Sequence, residues 1–138
     1  MKLITFTDGG ARGNPGPAAS GIVVKDETGK TLTSYGIYLG VQTNNVAEYT
    51  ALLNALIKAK ELGATEVNCF LDSELIVKQM QGEYKVKEPT LQKLFVKVYN
   101  AAAAFKKVTY QHVCREQNKE ADAEVNKTLD AEEKNISR

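Results

Sequence analysis

The stretch TDGGARGNPGPAASG, residues 7–21, decides how this chain is read. It holds five of the ten glycines and two of the three prolines, directly after the alternating run KLITF. A glycine loop that cradles a nucleotide passes from a strand into a helix, whose first amides and dipole meet the phosphates. Here the loop runs on into SGIVV, another β-rich segment, and carries no GK[ST] ending. Pro15 and Pro17 also remove two amide donors. The nucleotide-cradle reading fails. What remains is a stiff loop, poor in side chains, that lets a large ligand approach backbone amides beside Asp8. Taken alone, it also fits a tight turn between strands.

Working outward, KLITFTD reads as a first strand, and ASGIVVKDETGKTLTSYGIYLG as two strands joined at DETGK, with Gly29 suited to a hairpin loop. NNVAEYTALLNALIKAKELG is a helix capped by Asn44 or Asn45. Its apolar stripe is Ala51, Leu52, Ala55, Leu56 and Ala59, and Gly63 stops it. EVNCFLD is a fourth strand, and Ser73 caps a helix that begins at SELIVKQMQGEY. A further helix follows Pro89, then the strand KVTYQHVCRE. Asn118 is expected to cap a last helix through about Leu129, leaving residues 131–138 as a fraying polar tail after one domain over 1–130. Hairpin-linked early strands are antiparallel and helix-separated later ones parallel. The fold class expected is α/β: one mixed five-stranded sheet flanked by helices.

Composition agrees with one ordinary globular domain: 138 residues, 43% hydrophobic and a quarter charged. No stretch approaches the roughly 18 unbroken apolar residues of a membrane span, and MKLITFTDGG reads as a strand rather than a signal peptide. Cys69 and Cys114 make neither a disulfide framework nor a metal knuckle. They fit half-buried thiols in a reducing cytoplasm. With no surplus apolar surface, a monomer is expected. Net charge is only +1, but between Lys78 and Lys107 seven lysines face two glutamates, a patch suited either to a phosphate backbone or to a solvated helix face.

Four carboxylates stand in awkward places. Asp8 and Asp72 end strands that run the same way, Glu48 shares an inward stripe with Leu52 and Ala55, and Asp122 lies in the first turn of the last helix. Each alone fits a structural role. Together they converge on one sheet edge, where four anions repel unless hard divalent cations join them. Magnesium prefers carboxylate and water oxygens. Two such ions about 4 Å apart suit an in-line phosphoryl displacement.

FTDGGARGNPGPAASG, TNNVAEYTALLNAL, LDSELIVKQMQG and VCREQNKEADAEVN resemble, in order, the motifs of type 1 ribonuclease H across roughly residues 1–127. The resemblance implies a ribonuclease H-like fold and an endonuclease that cleaves the RNA strand of RNA–DNA hybrids by a two-metal-ion mechanism, leaving 5′-phosphate and 3′-hydroxyl ends. It implies two Mg2+ ions, with Mn2+ as substitute, on Asp8, Glu48, Asp72 and Asp122. It places Gly9, Gly10, Arg12, Gly13, Asn14, Asn45 and Gln79 against the minor groove and the RNA 2′-hydroxyls, the groups that separate RNA from DNA. Thr43 and Asn44 resemble a pocket for a DNA-strand phosphate.

Two departures from the family pattern stand out. The loop REQNKEAD lacks the histidine many members carry before the last aspartate, leaving Arg115 or Glu116 as auxiliaries; the only histidine, His112, is expected to be structural within its strand. The basic, aromatic-rich insertion found in some members is also missing, with Lys85, Lys87 and Lys93 in its place. Two alternatives remain: a nuclease of this fold acting on another substrate, such as double-stranded RNA, and a non-catalytic hybrid-binding module.

Overall fold

The structure is a computed structural model that describes residues 1–136. Five strands, β1 (Lys2–Ala11), β2 (Gly16–Asp26), β3 (Thr31–Gln42), β4 (Glu66–Leu71) and β5 (Lys107–His112), form one sheet in the order β3-β2-β1-β4-β5. The hairpin-linked pairs β1–β2 and β2–β3 are antiparallel, while β1–β4 and β4–β5 are parallel. The mixed sheet expected from the connections is the one formed. Gly29 takes φ 89° in the β2–β3 turn, where the Asp26 carboxylate accepts from the Thr28 and Lys30 amides.

Helix α1 (Asn44–Glu61) buries Ala51, Leu52, Ala55, Leu56 and Ala59 against one face of the sheet. With α2 (Glu74–Met80) and α3 (Pro89–Ala102) it completes a core around Leu3, Ile22, Val67, Leu71 and Val98. Helix α4 (Lys119–Ile136) lies on the opposite face over β1, β2 and β3, with a smaller apolar seat of Ala19, Val125 and Leu129. That face carries Ile4, Phe6 and Asp8 of β1, and Phe6 stacks on Phe70 at 5.1 Å.

Several local expectations are corrected. Thr43, not Asn44 or Asn45, caps α1, its hydroxyl accepting from the Val46 amide at 3.3 Å. Asn44 is drawn into the helix because its own polar groups are tied elsewhere: Oδ1 accepts from the Ala11 amide, and its amide donates to Asn14 Oδ1. Ser73 does cap α2. The side chain of Asn118 does not cap α4; Nδ2 donates instead to the Thr7 carbonyl at 2.8 Å, bolting the start of the helix to β1. Strand β5 stops at His112, and Arg115–Gln117 coil into a short 3-10 turn, leaving His112 exposed at the strand end. Cys69 is fully buried and Cys114 exposed, rather than both half-buried. Helix α4 runs past Leu129 to Ile136, so residues 131–136 of the expected tail are helical, and 137–138 lie outside the described residues.

Candidate active site

Beside Asp8 both helical layers press close on the sheet, and glycines permit it. A Cβ on Gly9 would lie 2.3 Å from the Ala47 and Glu48 backbone, so only glycine lets α1 come in from its face. A Cβ on Gly21 would lie 2.2 Å from the Ala121 carbonyl of α4 on the other. The glycine-rich stretch therefore serves the aspartate at its start. It brings Glu48 and Asp122 to Asp8 from opposite sides.

Ligand oxygens of Asp8, Glu48 and Asp72 lie within 4.8 Å of one another. Asp8 comes from β1, Asp72 directly follows β4, and parallel pairing of these strands sets their ends side by side. Glu48, only 9% exposed, points to the sheet as its stripe requires. Asp122 stands outside this group of three but lies near enough to raise the Asp8 carboxyl, and it lines the same cleft of about 280 Å³. All four expected acids thus meet in one place.

The crowding shows in their protonation. Burial, then the charge of Asp72, then Asp122 push the Asp8 carboxyl up to about 7, against the pull of the Gly9 amide, which donates to Oδ1 at 2.9 Å. Burial, then Asp8 and Asp72, hold Glu48 well above the ordinary carboxylate range. Glu48 Oε2 is buried and finds no hydrogen-bond partner among the described residues. A buried carboxylate oxygen left unpaired is costly. An all-oxygen set of three or four acids around such an atom fits a hard divalent cation.

The other expected site residues divide. Gly9, Gly10, Arg12, Asn44 and Arg115 line the cleft, and Gly13, Asn14, Thr43, Asn45, Gln79 and Glu116 do not. Asn14 and Asn44 brace the loop against α1 through the bonds above. Gln79 is buried; Oε1 accepts from the Tyr49 hydroxyl at 2.5 Å and Nε2 donates to the Lys85 carbonyl. Arg12 is turned towards Asp130 and Glu133 of α4. Glu116 is exposed, held below the ordinary carboxylate range first by its own backbone amide. Sequence reasoning passed over Asn126, which lines the cleft and donates to Asp122 Oδ2 at 3.3 Å. Its place one helical turn after Asp122 was the available signal.

A family model described as "Reverse transcriptase-like" matches residues 6–128. The Bifunctional protein Rv2228c of Mycobacterium tuberculosis is 44% identical over 132 residues, 95% of this chain and 36% of that protein. The chain thus spans about a third of the length of the first curated relatives it matches. The crystal structure of RNase H1 from Halobacterium salinarum superposes with a TM-score of 0.93 at 36% identity, covering 95% of this chain and 99% of that one. LC11-RNase H1, solved in complex with an RNA/DNA hybrid, superposes with a TM-score of 0.89 at 48% identity, covering 94% and 97%. A matching family model over most of the chain, and relatives that share its whole architecture, place this protein in the ribonuclease H family.

Proposed function

We propose that the chain is a metal-dependent endoribonuclease that hydrolyses the RNA strand of RNA–DNA hybrids. The observation that carries this is the acid cluster around the partnerless Glu48 oxygen. A surface that merely bound nucleic acid would gain nothing from acids facing phosphates. The hybrid-bound relative supports the substrate class.

Asp8, Glu48 and Asp72 would hold Mg2+ or Mn2+ with Asp122 completing the set. When bound, two such ions supply Lewis acidity at the attacking and departing oxygens of an in-line displacement, giving 5′-phosphate and 3′-hydroxyl ends. The chain's own residues do the positioning. Gly9 admits α1, and Gly10, half-buried in the cleft lining, leaves its backbone open to the close approach of a sugar–phosphate chain. Asn14, Thr43, Asn44 and Asn45 crowd the α1 N-terminus, whose amides and dipole suit a backbone phosphate. Gln79, latched to Tyr49, shapes the support beneath. Arg115 overhangs the cleft from the 3-10 turn and offers a cation to the scissile phosphate or its product. Residues 1–130 would act as one catalytic domain, as a monomer, in the cytoplasm where unpaired thiols survive.

A labelled hybrid, a DNA duplex and double-stranded RNA, each incubated with Mg2+, Mn2+ or EDTA, test the reading. Only the hybrid should be cut, only with metal, and Asp72→Asn should stop the cut while the circular dichroism of the fold survives. Preferential cleavage of double-stranded RNA, or hybrid bound but left intact with metal present, would overturn it.

A further inference from the structure

Arg12 sits in the glycine loop, yet its guanidinium faces helix α4. Nη1 donates to Glu133 Oε1 at 2.7 Å, and Nη2 pairs with Asp130 Oδ1 at 2.8 Å and reaches Asn126 Oδ1 at 3.3 Å. Asn126 uses its other end one turn back along the helix, where Nδ2 donates to Asp122 Oδ2 at 3.3 Å and to the Asp122 carbonyl at 3.1 Å. Asp122 shares the cleft with Asp8, Glu48 and Asp72. These bonds thus run from the loop to Asp122 at the edge of the acid cluster.

We propose that Arg12 and Asn126 are positioning residues that fix the Asp122 carboxylate against the other three acids, Arg12 acting through α4 rather than by gripping substrate. A carboxamide has one donor end and one acceptor end. Because Oδ1 is taken by Arg12, Nδ2 is turned to Asp122, and reversing the amide would set its oxygen against a carboxylate. The forked guanidinium can hold Asp130, Glu133 and Asn126 at once, whereas a lysine brings a single point charge. Ion pairs this exposed add little to folding stability, so the arrangement matters for geometry more than for folding. Partners that orient a metal-binding carboxylate or imidazole typically change metal affinity by about 10–100-fold when removed.

The inference rests on the nuclease reading for its rate measurements, but not for its metal measurement. Arg12→Ala, Arg12→Lys, Asn126→Ala and the Arg12→Ala/Asn126→Ala double variant would be compared with wild type in the full chain. Calorimetric titration with Mn2+ in the absence of nucleic acid should show roughly tenfold weaker binding for Asn126→Ala and Arg12→Ala. The double variant should be no worse than Asn126→Ala, since residues in one network do not add. On hybrid, kcat should fall about tenfold while KM stays within about twofold, and Arg12→Lys should not restore it. Hybrid affinity in EDTA, by fluorescence anisotropy, should not change. The proposal is overturned if Arg12→Ala weakens hybrid binding in EDTA while Mn2+ affinity is unchanged, or if the two losses multiply. Should the double variant fail to fold, the Mn2+ affinities of the single variants decide. A wild type that binds Mn2+ but leaves hybrid whole defeats the nuclease reading alone, and the titration still judges Arg12 and Asn126.

Discussion

Asp8 stands directly opposite Gly21 in the antiparallel β1–β2 pair, and Gly21 stands opposite Gly36 on β3. This row forms a trough across three strands on the face that α4 covers. Added Cβ atoms at the two glycines would lie 2.2 Å from the Ala121 carbonyl and 1.9 Å from Thr128 Oγ1. The trough lets the first turn of α4 descend far enough for Asp122 to reach Asp8.

Gly21→Ala should therefore lift α4. Overpacking of this kind costs about 1–3 kcal/mol, readable as a lower urea midpoint. Hybrid cleavage should fall about tenfold or more, because a displacement near 1 Å can cost on the order of a hundredfold in rate. A variant with wild-type turnover would show that the depth of α4 does not govern the site.

Asp8 and Glu48 set a pH dependence on the metal-free protein. The Asp8 carboxyl rises from 3.8 to about 7, and Glu48 rises with it, through burial first and neighbouring carboxylates second. From about pH 4 to pH 7 the native state then holds more protons than the unfolded chain, so stability falls as pH rises. Melting in EDTA should occur at a lower temperature at pH 8 than at pH 5, and Asp8→Asn should narrow the gap. Mg2+ at pH 8 should raise the midpoint, by an equivalent of about 2.7 kcal/mol at a hundredfold excess over Kd. Equal wild-type midpoints at both pH values in EDTA would count against a crowded acid cluster.

Glu48→Gln keeps the shape of the side chain and removes its charge. In EDTA at pH 8 the variant should melt above wild type, since a buried carboxylate beside Asp8 and Asp72 is relieved. Its Mn2+ affinity and hybrid cleavage should both drop by at least about a hundredfold. Retained cleavage would remove Glu48 from the machinery.

Arg115→Ala should slow turnover by about tenfold or more, within the range of one acid–base or electrostatic group, and leave Mn2+ affinity unchanged. Unchanged turnover would leave the 3-10 turn without a part in the reaction. His112→Ala serves beside it: the side chain lies at the exposed end of β5 and should be neutral for rate.

Much of this was legible along the chain. The sheet followed from three hairpin-linked strands and two helix-separated ones, and the inward direction of Glu48 from its spacing to Leu52 and Ala55. What escaped were choices made by tertiary contacts. Thr43, Asn44 and Asn45 can all cap a helix, and the bonds of Asn44 to Ala11 and Asn14 decide among them. The length of α4 was underestimated because Asp130 and Glu133 look like tail charges until Arg12, more than a hundred residues earlier, is seen between them. Arg12 and Gln79 have polar side chains in family-like positions, and position alone does not reveal that both are already engaged.

Asp8 and Asp72 belong to the paired strand ends and Glu48 to the helix pressed on them, so these three are cast together with the main core. Asp122 rides on α4, whose buried Ala121, Val125 and Leu129 meet a seat smaller than the main core. Its position is the adjustable corner of the cage. Substitutions on the outer turns of α4, set apart from the acids, should therefore change the rate of the proposed hydrolysis while the sheet and its main core stay intact.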